Sequence, residues 1–225
     1  MKHKKYILPL LAFCLLAICS ACTGTPASNI EVDREAYTAP TAVSENWEDM
    51  TFSLDGRVFE VPTRYSELES AGWTFALQDY GVEGDYYLNP GDTAGSVNLH
   101  NEQYPDELNI NMSIYFLNPT DQLLELMDCD IASFRLNIMS YDSELPESYP
   151  TIELAKGIGF GATLEEITEA YGEPAASYDA GDYEFVQYEK ITENNEFYVM
   201  SLQIDNEVGL TQIAFDALNG TNWID

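Results

Sequence analysis

Residues 157–172 read GIGFGATLEEITEAYG. Three glycines that run into a helical pattern describe either a phosphate-cradling loop or a helix with its start and stop signals. A phosphate loop needs Gly-x-x-x-x-Gly-Lys-Ser/Thr, and no lysine follows these glycines. A dinucleotide-binding turn needs Gly-x-Gly-x-x-Gly after a buried strand. Here position 162 is Ala, the third glycine comes early at Gly161, and the preceding TIELAK is short and polar. The helix signals are stronger. Thr163 and Glu166 fit a capping box, and Leu164, Ile167 and Tyr171 fall at helical spacing. Gly172 is expected to supply a left-handed cap, and Pro174 blocks continuation. Gly159 and Gly161 then provide the sharp entry into a helix that packs across a sheet.

Three apolar-rich segments follow the helix: YEFVQYEK, NEFYVMSLQID and LTQIAF, joined by short polar turns. An antiparallel meander is the economical pairing. Residues 50–73 repeat the order. Asp55-Gly56 marks a hairpin between two short apolar runs, Pro62-Thr63 opens a short helix carrying Tyr65 and Leu68, and Gly72 ends it. Beyond it, LNINMSIYF and DIASFRLNI alternate apolar and polar residues with period two, the pattern of half-buried strands. Helix first and antiparallel strands after it make an α+β fold.

The pattern GIGFGATLEEITEAYGEP, with its Gly, Thr, two acidic residues and Tyr-Gly-x-Pro, resembles the β-lactamase-inhibitor-like fold and the small SmpA/OmlA lipoproteins of outer-membrane assembly. The resemblance spans Lys156 to about Phe215. YSELESAG, set against EEITEAYG, extends it to a diverged first copy between Phe52 and Ile138. It implies two tandem repeats, each a short helical element packed on one face of an antiparallel sheet. The other face is left free for a protein partner, and no catalytic role is implied. The chain as a whole is also similar to exported lipoproteins of gut Firmicutes.

The N-terminus fits that resemblance. Lys2, Lys4 and Lys5 precede an apolar run from Ile7 to Ile18, of signal-peptide length. Ser20-Ala21-Cys22 resembles the lipobox of bacterial lipoproteins, which makes Cys22 the expected lipid attachment site and places the chain on the outer face of a bacterial membrane. The expected layout is a signal peptide over 1–21, a flexible stalk over 22–46, a diverged first α+β repeat over 47–145 and a second over 146–225. The stalk is inferred from an Ala, Thr, Ser and Pro composition without apolar period.

Charge narrows the partners. The chain has 39 acidic and 9 basic residues, a net charge of −30. Loss of the three signal-segment lysines would leave 6 basic against 39 acidic, or −33. Nucleic acid is not an expected partner, because phosphate binding needs Lys and Arg. The membrane is expected to be touched only through the lipid on Cys22. No metal or cofactor is expected. One histidine, His100, remains after the signal segment, too few for a His-rich zinc site or a thiolate–imidazole pair with the single remaining thiol, Cys129. Asp179, Asp182 and Glu184 offer oxygen ligands but lack EF-hand spacing.

The favoured function is therefore a non-catalytic binding module for an envelope or extracellular protein. An acidic cation- or glycan-binding module, or an envelope hydrolase using a carboxylate pair, stands as the alternative. If Met200, Leu202 and Ile204 face the helix, then Phe197, Val199, Ser201 and Gln203 face away, with Phe185 and Gln187 beside them. These six residues are the candidate partner-binding face. The competing expectation is that the two repeats stack these faces on each other.

Overall fold

A computed structural model describes residues 34, 36–104, 108, 110–138, 148–193 and 196–217. The predicted signal segment and Cys22 lie outside the described residues. The strands in chain order are β1 (Thr51–Leu54), β2 (Arg57–Glu60) and β3 (Thr63–Arg64), then helix α1 (Tyr65–Ser70). They continue with β4 (Tyr87–Leu88), β5 (Thr93–Leu99), β6 (Ile110–Leu117), β7 (Leu124–Glu125), β8 (Asp130–Ile138) and β9 (Ile152–Glu153). Helix α2 (Leu164–Tyr171) precedes β10 (Ala176–Asp179), β11 (Tyr183–Ile191), β12 (Phe197–Asp205) and β13 (Gly209–Asp216). The result is mostly antiparallel sheet, with two α-helices among the described residues, which fits an α+β or mainly-β fold.

One large sheet runs in the order β10-β11-β12-β13-β8-β6-β5, and β3 pairs with the start of β8. The C-terminal meander and the earlier strands therefore join edge to edge, through β13 and β8, with Phe215 opposite Phe134 and Gln212 opposite Asn137. This corrects the competing expectation of stacked sheet faces. Both strands are apolar at alternate positions, so pairing them side by side gives one continuous apolar face instead of two facing ones.

That apolar face carries Met112, Ile114, Phe134, Leu136, Leu202, Ile213 and Phe215, each at most 1% exposed. Three elements cover it. The small sheet β2-β1-β9 lies over the seam, where Phe52 stacks on both Phe134 and Phe215. Its hairpin forms as the sequence predicts: Asp55 and Gly56 both take positive φ, 52° and 78°, which suits a two-residue turn. Helix α1 buries Tyr65 and Leu68, and Tyr65 meets Phe116 edge-on at 5.6 Å. Helix α2 buries Ile167, and Tyr171 meets Tyr188 of β11 edge-on at 5.6 Å. Cys129 is fully buried just before β8, and burial pushes its thiol up to about 12.

The stalk expected over 22–46 needs correction in its second half. Arg34 pairs with Asp130 at 2.8 Å, and the Thr63 hydroxyl donates to the Tyr37 oxygen at 3.0 Å. Ser44 N–H donates to Thr51 Oγ1 at 2.8 Å, and the Asn46 side chain caps the short turn at Trp47. Composition alone misses this, because isolated polar anchors leave no periodic trace.

Candidate functional site

The glycine run is a packing device. Gly161 N–H donates to Leu210 O at 2.9 Å, and Leu210 N–H donates to Ala162 O at 2.8 Å, tying the run to β13. Side chains would not fit. A Cβ on Gly209 would stand 2.3 Å from Gly161 O, and one on Gly159 would stand 2.6 Å from Ile152 O.

Three successive amides of the run, those of Gly161, Ala162 and Thr163, are already in use. Ala162 N–H donates to Gly159 O, and Thr163 N–H donates to Glu166 Oε2 at 2.8 Å. Glu166 N–H donates back to Thr163 Oγ1, completing the predicted capping box. The Glu166 carboxylate thus occupies the helix N-terminus. The Thr163 backbone bond, followed by its hydroxyl, holds that carboxyl below its ordinary value. A shallow depression of about 680 Å³ beside the run is lined by Glu166 and Glu169, and Lys156 there donates to Ala170 O. Gly172 departs from the predicted left-handed cap. Its φ of 84° is positive but its ψ is −166°, a region that only glycine visits freely.

The opposite face of the large sheet holds the other candidate. Two rows of outward side chains cross five strands. The first is Tyr178, Phe185, Gln203, Gln212 and Asn137, and the second is Ala176, Gln187, Ser201, Ala214 and Arg135. Adjacent strands lie about 4.8 Å apart, so each row runs roughly 19 Å. Between them lies a concavity of about 480 Å³ whose lining includes Arg135, Tyr178, Phe185, Gln187, Ser201, Gln203 and Gln212.

Its lining combines aromatic rings, side-chain amides and one cation, Arg135. The rings of Tyr178 and Phe185 stack at 6.5 Å with planes 29° apart. Asn137 Nδ2 donates to Gln212 Oε1 at 2.9 Å, and Gln187 Nε2 donates to Glu189 Oε1 at 2.6 Å. No Asp or Glu lines the concavity, in a chain with 39 of them. Planar amides both donate and accept, and aromatic faces contribute apolar area with few rotors to freeze.

Four of the six predicted face residues, Phe185, Gln187, Ser201 and Gln203, come together here. The other two do not. Val199 is only 6% exposed, in a row with the buried Ser133 and Asp216, and Phe197 pairs with Ile191 at the far end of β12. Period two fixes which way a side chain points, but not whether its part of the face is covered. Sequence reasoning also missed Tyr178, Arg135 and Gln212. Arg135 and Gln212 occupy the outward positions of DIASFRLNI and LTQIAF, so they were within reach once β8 was paired with β13. Tyr178 lies on β10, a four-residue strand too short for any periodic signal. Among the described residues, no group of three or more His, Cys, Asp or Glu is placed to hold a metal ion, and no helix is long and apolar enough to cross a membrane. No protein-family model matches this chain, and comparison with curated proteins and with solved structures finds no similar protein.

Proposed function

We propose that this chain is an exported lipoprotein, acylated at Cys22, that acts as a non-catalytic binding module for a protein partner in the cell envelope. The binding surface is the outward face of the large sheet. The observation that carries this is the concavity itself: side-chain amides, a stacked aromatic pair and Arg135, with no Asp or Glu in the lining of a chain of charge −30. Such a lining supplies hydrogen bonds and desolvatable aromatic area, the chemistry of recognition surfaces. It offers no pair of groups to move a proton. The lipobox-like Ser20-Ala21-Cys22 after a short apolar run supports the anchoring. Tandem repeats are part of the proposal. In each half a short helix precedes antiparallel strands, α1 before β6 and β8, and α2 before β10 to β13.

Site-specific photo-cross-linking tests the surface. A photoreactive residue at Gln203 or Phe185 should give one discrete protein adduct in intact envelopes, and one at Glu165 or Glu169 on α2 should give none. Adducts of equal yield at both faces, or only from the helix, would contradict the proposal.

A further inference from the structure

The two edges of the large sheet are treated differently. Beyond β5, Asn98 N–H donates to the Tyr80 hydroxyl at 2.6 Å, and Thr74 and His100 exchange backbone bonds of 2.8 and 2.7 Å. An irregularity between Ala94 and Val97 also breaks the register of that strand. Covered and bulged edges resist the addition of another strand. At the other edge, β10 pairs only with β11 among the described residues, and all four of its residues are exposed. It contains no Lys, no Pro and no bulge.

The register shows which groups are on offer. Tyr178 lies opposite Phe185, and Ala180 N–H continues the pairing by donating to Tyr183 O at 2.9 Å. Antiparallel alternation then turns the N–H and C=O of Ser177 and Asp179 away from β11. Side chains alternate as well. Tyr178 stands on the concave face, 62% exposed, while Asp179 lies directly opposite Glu184 on the other side. Two like charges in a cross-strand pair repel, and a cation set beside them relieves that repulsion.

We propose that β10 accepts an extended segment of a basic partner protein as an added strand, a proposal that rests on the binding-module reading above. Alternate residues of the segment are aromatic or apolar, laid against Tyr178 at the rim of the concavity. The residues between them are Lys or Arg, set beside Asp179, with Glu184 one strand further in. Charge selects such a partner over a second copy of this chain, since two copies each of charge −30 repel.

The test uses the full-length chain in detergent and short synthetic peptides. One peptide alternates Lys with Val and Tyr, a second has the same composition in blocks, and a third alternates Glu with Val and Tyr. The first should bind, the other two should bind at least roughly tenfold more weakly, and added salt should weaken the first. Ser177→Pro removes an outward N–H at an edge, where proline is tolerated, and should lower the affinity roughly tenfold with the melting temperature unchanged. Hydrogen exchange of the wild type is independent of any variant: the first peptide should slow exchange at Ser177 and Asp179. Equal binding of the alternating-Lys and block peptides, no protection at these amides, or a dimer of the chain alone that Ser177→Pro dissociates would each overturn strand addition. If Ser177→Pro leaves partner capture intact while charges placed on the concavity abolish it, strand addition falls and the binding face stands. If neither affects capture, both fall.

Discussion

Phe52 stacks on Phe134 with ring centroids 4.6 Å apart and planes 29° from parallel. Phe134 lies opposite Phe215 across the β8–β13 seam, and Phe52 reaches Phe215 too, at 5.3 Å. One ring from the first hairpin therefore clasps the seam where the two sets of strands meet. Phe52→Ala should cost about 3–5 kcal/mol. Unfolding by urea, followed by both tryptophan fluorescence and far-ultraviolet dichroism, should remain a single transition. Two separated transitions would show that the halves fold independently.

The glycine run predicts an order of losses. Gly209 has a φ of 84° and backbone 2.3 Å from a would-be Cβ, so Gly209→Ala suffers from conformation and clash together. The conformation alone costs roughly 1–2 kcal/mol. Gly159 has no positive φ, yet Gly159→Ala should also be costly, because the atom in the way is backbone. Thr163→Ala, which removes a cap acceptor, should cost about 0.5–2 kcal/mol. Thermal melts check the order, and millimolar ATP or NAD should shift none of them. A nucleotide-dependent rise lost in Gly159→Ala would restore the phosphate loop.

Arg34 tests the corrected stalk. Asp130 is half-buried, and that burial pushes its carboxyl up, while Arg34 at 2.8 Å and Arg64 at 3.5 Å favour its charged form. Arg34→Ala should cost about 1–3 kcal/mol at neutral pH, because it strips the nearer of two cationic partners from a half-buried charge. An unchanged denaturation midpoint would mean that the segment before Asn46 is a free tether after all.

Alkaline pH provides a separate check. Burial, followed by the charge of Glu69, pushes the Tyr65 hydroxyl from its ordinary 10.0 to about 12. Burial likewise pushes Tyr37 up to about 12. The folded state therefore holds these protons more tightly than the unfolded one. Their contribution to stability is full below pH 10 and is lost as pH rises from 10 to 12. Tyr65→Phe should flatten that decline, by roughly 1 kcal/mol per pH unit. Urea midpoints at a series of pH values measure it, and an equally steep decline in the variant would contradict the assignment.

Legibility in the sequence followed the strength of local signals. The Asp55-Gly56 turn, the Thr163–Glu166 box and the period-two strands at β6 and β8 were all readable, because each is written in adjacent residues. The β8–β13 seam was not, since it joins Asn137 to Gln212 across 75 positions, and no local pattern names its partner. The site divides the same way. Outward positions on β11 and β12 were readable from alternation, whereas the burial of Val199 and the arrival of Tyr178 on an edge strand depend on what else packs there.

Charge placed on the sheet face is the most direct test of the proposed function. Gln187→Arg with Gln203→Arg puts two bulky cations into the concavity, and Glu165→Arg with Glu169→Arg makes a larger charge change on the exposed face of α2. All four positions are outside the core, so both variants should melt as the wild type does. Each variant and the wild type would be purified from envelopes with whatever is bound, and the partner quantified against the bait. The account predicts that the partner is lost from the sheet-face variant and kept by the helix variant. Retention by the sheet-face variant, or loss from the helix variant alone, would contradict it.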